Sequence, residues 1–131
     1  MRVNNWEQIL ADYLQSSQNI QFEWGQNDCA LWASTFADLV NGTSIAEDWR
    51  GLYGDEEGAN DLMLERGFAN CGDIADSHFT SKPLKRASRG DMVMIASGAL
   101  GICDGRRSYF ITPQKGLGAV LTLSCIKAWA V

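Results

Sequence analysis

The chain has 131 residues, 46% of them hydrophobic and 10% aromatic, and a formal charge of −5. That is enough apolar material for one packed domain spanning residues 1–131 and too little for two, and it excludes a disordered chain. The charge is unevenly placed, because positions 1–76 carry 14 acidic and 3 basic residues while positions 77–131 carry 2 acidic and 8 basic.

Along the chain, Asn5 is positioned to cap a helix whose Trp6, Ile9, Leu10, Tyr13 and Leu14 recur at the spacing of one buried face. A polar stretch and a short apolar element around Phe22 and Trp24 follow. A second helix opens at Asn27-Asp28-Cys29, with Asn27 or Asp28 as its cap and Asn41-Gly42 as its left-handed stop. The pattern predicts a short helical turn at Ala46–Trp49 and a third helix over Gly58–Arg66, ended by Gly67. The polar stretch Asp73–Arg89 reads as loop. From Gly90 onward the apolar runs Met92–Ile95, Ala99–Cys103, Ser108–Ile111, Ala119–Leu123 and Ala128–Val131 are separated by turns at Ser97-Gly98, Asp104-Gly105 and Pro113–Gly118. They predict an antiparallel meander closed by the last run. Helices first and strands afterwards predict an α+β domain, with N-terminal helices packed on a C-terminal antiparallel sheet.

Several function classes fall away. An acidic chain has no surplus of Lys and Arg to displace counterions from phosphates, so nucleic acid is not an expected partner. No apolar run reaches the roughly 18 residues of a membrane helix, and Met1–Glu7 lacks the apolar core of a signal peptide. Cys29, Cys71, Cys103 and Cys125 lie far apart, without the close pairs of zinc or iron–sulfur ligation, so free thiols are expected, with no metal and no cofactor. Asp55-Glu56-Glu57 is explained by the positive end of a helix dipole, and Lys82, Lys85, Arg86 and Arg89 by a solvated loop.

One residue carries a chemical argument. A thiol in the first turn of a helix sits beside unpaired N–H groups at the positive end of the dipole, which favours the thiolate and suits a nucleophile. Trp24 would wall such a site, Gly25 would admit close backbone approach, and the charge of Asp28 would oppose the thiolate. The competing reading is that Cys29, Ala33, Phe36 and Val40 form one buried stripe.

The segment Phe22-Glu23-Trp24-Gly25-Gln26-Asn27-Asp28-Cys29-Ala30-Leu31-Trp32 resembles the nucleophile motif of the NlpC-type cell-wall cysteine peptidases, which are papain-like. Arg89-Gly90-Asp91-Met92-Val93-Met94 is similar to that family's Gly-Asp-hydrophobic strand, and Ala99-Leu100-Gly101-Ile102 to its His-Val-Gly-Ile strand. Arg50-Gly51-Leu52-Tyr53 and the terminal Ala128-Trp129-Ala130-Val131 resemble a compact phage and prophage branch. The resemblance implies a papain-like fold with Cys29 as nucleophile, but it places Ala99 where the family has its general-base His. It also leaves only Thr112 near the position of the third polar residue. Alanine cannot take a proton. The one histidine, His78, is the only imidazole available as a substitute base, and a solvated loop residue is the plainer reading.

These readings imply a catalytically degenerate domain that serves as a structural component of a phage or phage-like tail tip, made in the bacterial cytoplasm and partnered by other tail-tip or hub proteins. The alternative is an active cysteine amidase or endopeptidase that cleaves peptidoglycan stem peptides through Cys29. A third reading is an inhibitor-type protein whose acidic half meets a basic partner.

Overall fold

The computed structural model describes residues 2–114 and 116–131. Lys115, within the expected Pro113–Gly118 turn, lies outside the described residues. Four helices come first, α1 (Trp6–Ser16), α2 (Cys29–Asn41), α3 (Glu56–Glu65) and α4 (Cys71–His78). Six strands follow, β1 (Thr80–Lys82), β2 (Met92–Met94), β3 (Leu100–Cys103), β4 (Arg107–Thr112), β5 (Gly116–Leu121) and β6 (Lys127–Ala130). The result is an α+β arrangement in which N-terminal helices precede an open antiparallel sheet.

The central element is α2. Asp28 caps it, accepting from the Leu31 amide at 2.9 Å, and Gly42 ends it at φ 70. Trp32, Ala33, Phe36, Ala37 and Val40 are buried because α1 covers one side of α2 and the sheet the other. The α1 contact is polar as well as apolar: the Tyr13 hydroxyl donates to the Trp32 carbonyl, and the Trp32 indole donates to Ser17 Oγ. On the sheet side, Met92, Met94, Leu100, Ile102, Ile111 and Trp129 complete this main core. Val93, Cys103, Phe110, Cys125 and Ala128 form a second, smaller core on the opposite face. With both faces covered, β2 and β3 are buried throughout and show no alternation.

The sheet order is β1-β6-β2-β3-β4-β5. Strands β2 to β5 form the expected meander, but β6 does not extend it. The last strand returns across the sheet to pair with β2, Val93 opposite Ala128, and β1 adds outside it, Ser81 opposite Trp129. The expected loop over 73–89 is likewise corrected: it holds most of α4, the edge strand β1 and a 3₁₀ turn at Leu84–Arg86. The third helix starts two residues earlier than expected, at Glu56, because the Asp55 side chain accepts from the Gly58 amide and makes Asp55 the cap.

Buried Asp91 ties these pieces together. Its carboxylate accepts from Arg2 Nη2 at 3.0 Å, Lys82 Nζ at 2.6 Å, and the Ser88 amide at 2.9 Å. Arg2 also donates to the Val131 carbonyl, so one carboxylate fixes both ends of the chain beside β1 and β2. The Gly90-Asp91 pair therefore acts as a structural staple. Two of the four basic loop residues are engaged internally, Lys82 with Asp91 and Arg89 with Asp104 and Glu7.

Candidate functional site

The starts of α2 and α4 open onto one cleft of about 440 Å³, walled by Trp24, Trp49, Tyr53, Met63, Ile74 and Leu100 among others. Each helix presents a cysteine as its first residue, directly after a capping side chain: Asp28 before Cys29, and Asn70, which accepts from the Asp73 amide, before Cys71. Both thiols line the cleft.

The turn before α2 is closed by a bridge between Glu23 and Asn27, and Gly25 sits at its apex with φ 80. A Cβ there would stand 1.9 Å from the Tyr53 carbonyl oxygen. Gly25 is thus behind the site, not in its wall: it lets the 51–53 backbone dock, with the Gly51 amide donating to the Gly25 carbonyl at 2.8 Å. That docking delivers Tyr53, whose hydroxyl donates to Asp28 Oδ2 at 2.5 Å. Asp28 Oδ2 also accepts from the Gly25 amide, and Oδ1 from Leu31. Buried and engaged at both oxygens, Asp28 holds the turn, the helix start and Tyr53 together. Burial, then the hydrogen bond to Asp28, raises the Tyr53 hydroxyl well above the ordinary phenol range, so the proton stays on the tyrosine.

At Cys29 the expected advantage of the helix start is overturned. Burial raises the thiol pKa, and this outweighs the Leu100 amide that points at the sulfur from β3; the Asp28 charge raises it further, against the Ala30 and Cys29 amides. Cys71 is pushed up to about 12, by burial first, then by the neighbouring Cys29 and Asp28. Both are thiols at neutral pH.

Of the other expected site residues, Trp24 lines the cleft and packs edge-on against Phe22, with ring centroids 4.9 Å apart. Ala99 and Thr112 line it too. His78 does not. It is exposed at the C-terminal end of α4, about 10 Å along the helix from Cys71, and the fold does not bring it to Cys29. Among the described residues no His, Lys or Arg lines the cleft; its charged members are Asp28 and Glu56.

Sequence reasoning missed Cys71, Met63 and the role of Tyr53. A signal for Cys71 existed, since Asn70-Cys71 repeats the cap-then-cysteine pattern of Asp28-Cys29. Tyr53 carried none, because its contact with Asp28 spans 25 residues.

Comparison with known families gives one result: a model described as a domain of unknown function, DUF6950, matches residues 1–131. The chain belongs to the DUF6950 family. No curated protein matches its sequence. The family description assigns no activity, so any function for this DUF6950 domain has to be argued from the cleft itself.

Proposed function

We propose that this DUF6950 domain is a papain-like, NlpC-type domain that keeps the nucleophile-position cysteine and its cleft but has lost catalysis, and that it works as a structural component of a phage or phage-like tail tip. The observation that carries the first part is chemical. Acyl transfer by a thiol needs a group that removes the thiol proton and returns one to the leaving amine. Cys29 shares its cleft with Ala99 and has the Leu100 amide directed at its sulfur, and among the described residues no imidazole or amine lines that cleft. The tail-tip role, with hub proteins as partners, rests on resemblance of the motifs and on the charge asymmetry, which suits a domain seated between unlike neighbours.

The test is alkylation of the purified protein with iodoacetamide at pH 7, alongside digestion of peptidoglycan fragments. The expected outcome is labelling of Cys29 slower than that of a free cysteine, no Cys29-dependent cleavage, and normal particle assembly with Cys29→Ala. Rapid labelling with cleavage would overturn the reading. One observation favours the alternative amidase: the amides around the Cys29 sulfur are of the kind that hold an oxyanion, so cleavage, if found, would proceed by acylation at Cys29.

A further inference from the structure

The second core is roofed by two short turns. The 3₁₀ turn at Leu84–Arg86 packs against another at Thr122–Ser124, and Leu84 and Cys125 belong to the core beneath them. Among the described residues Leu123 is the most exposed large apolar side chain, at 74%, and Ile126, three residues on, is 51% exposed. Lys85 and Arg86 are exposed on the first turn, and exposed Arg106 is joined to the second, its carbonyl accepting from the Thr122 amide at 2.8 Å. Among the described residues none of these three cations makes an ion pair. The only two acids of positions 77–131 are already held, Asp91 by Arg2 and Lys82, and Asp104 by Arg89.

The outward face of α3 is the counterpart. Glu57, Asp61, Leu64 and Glu65 fall on one stripe of the helix, and all four are exposed, Leu64 at 65%. Ala59 and Met63, on the other side of α3, line the cleft on the α2 side of the sheet. Among the described residues the three acids of the stripe make no ion pair. Like charges four residues apart repel, and Glu65 stands at the negative end of the helix dipole, so the stripe does not serve the stability of α3 itself. A leucine among three acids thus stands on the helix side of the sheet, and two apolar side chains among three cations stand on the other.

We propose that α3 of one copy docks on the two-turn roof of a second copy, with Leu64 against Leu123 and Ile126, and the acids of α3 facing Lys85, Arg86 and Arg106. The two surfaces differ, so the contact is heterologous and copies add head to tail, closing into a ring or continuing as an open chain. Burial of the apolar side chains supplies attraction, and the opposed charges fix orientation and exclude the like-charged pairings. One helix face and two turns lie at the small end of specific interfaces, below about 1,200 Å², so the association is weak and depends on concentration. This inference goes beyond the structural role proposed above: it names a neighbour, another copy of the chain, and holds whether or not the domain belongs to a tail tip.

The experiment is sedimentation velocity of the full-length protein over a concentration series, under reducing conditions, at about 0.1 M and about 1 M salt, where charges are felt across about 10 Å and about 3 Å. The expected result is a mass that rises above one chain with concentration at the lower salt and stays nearer one chain at the higher. Reversing charge on α3, with Glu57→Lys and Asp61→Lys together, is expected to weaken association at least about tenfold, as is reversing it on the roof with Lys85→Glu and Arg86→Glu. Mixing the two variants is expected to restore it, because the unaltered roof of the first still meets the unaltered α3 of the second. All four positions are exposed, so the fold is retained, and Leu123→Ser, which changes no charge, is expected to weaken association as well. A single-chain mass at every concentration, association indifferent to salt, or no restoration on mixing would each overturn the proposal. Binding of the monomer to phosphatidylglycerol vesicles without self-association would assign the cationic roof to a lipid surface and overturn it equally. None of these outcomes bears on the chemistry of Cys29.

Discussion

Tyr53→Phe isolates the contact that assembles the cleft. The substitution removes one hydroxyl and leaves the ring, so the change in stability reports the bond to Asp28. That bond joins a neutral donor to a buried carboxylate and is 2.5 Å long, and hydrogen bonds to charged groups contribute about 1.5–3 kcal/mol. Asp28 keeps its two amide donors, Gly25 and Leu31, so the carboxylate is not stranded and the expected loss is about 2 kcal/mol. For a chain of this size the melting temperature then falls by roughly 6–10 °C. Urea unfolding followed by tryptophan fluorescence measures it, with Tyr13→Phe as the comparison. The Tyr13 hydroxyl donates to a neutral carbonyl, that of Trp32, and its loss should cost about 1 kcal/mol. In a double-mutant cycle with Asp28→Asn, Tyr53→Phe should lose most of its effect. A cost for Tyr53→Phe equal to or below that of Tyr13→Phe, with no coupling to Asp28, would refute the reasoning that Asp28 organises the site.

Three further outcomes are expected. Stability should fall on the alkaline side: the raised Cys71 pKa contributes stability that is complete below the ordinary thiol pKa near 9 and is lost as pH rises toward about 12, in total about 4 kcal/mol, so urea midpoints at pH 8 and pH 10.5 should differ and Cys71→Ala should reduce the dependence, the rest coming from Cys29 and the buried tyrosines. Gly25→Ala combines a left-handed backbone with a clash against the Tyr53 carbonyl, and should cost about 3 kcal/mol and raise the exchange rate of the Gly51 amide in hydrogen-exchange measurements. Asp91→Ala removes the common acceptor of Arg2, Lys82 and Ser88 and should cost about 3 kcal/mol by calorimetry, toward the low end for a broken buried pair because both cations reach solvent.

The features that were legible in the sequence are those in which neighbours in the chain decide the outcome. The period of Trp6 to Leu14 and the Asp28 cap with the Gly42 stop follow from local sterics and local hydrogen bonds, whereas the need for glycine at position 25 comes largely from the Tyr53 carbonyl packed against it. The α4 helix was not legible because Cys71 to His78 carries a thin apolar face; it is fixed by the Asn70 cap and by buried Ala75 packing into the main core. Strand β1 is three mostly exposed residues and exists only because β6 pairs with it.

The cleft divides the same way. That a cysteine begins α2 behind a capping aspartate could be read from the chain alone. What that cysteine faces depends on long-range packing. Packing brought Leu100 from the sheet, Tyr53 from a loop and Cys71 from a second helix start to one place. Burial then outweighed the helix dipole, because removing a thiolate from water costs more than a few oriented amides return.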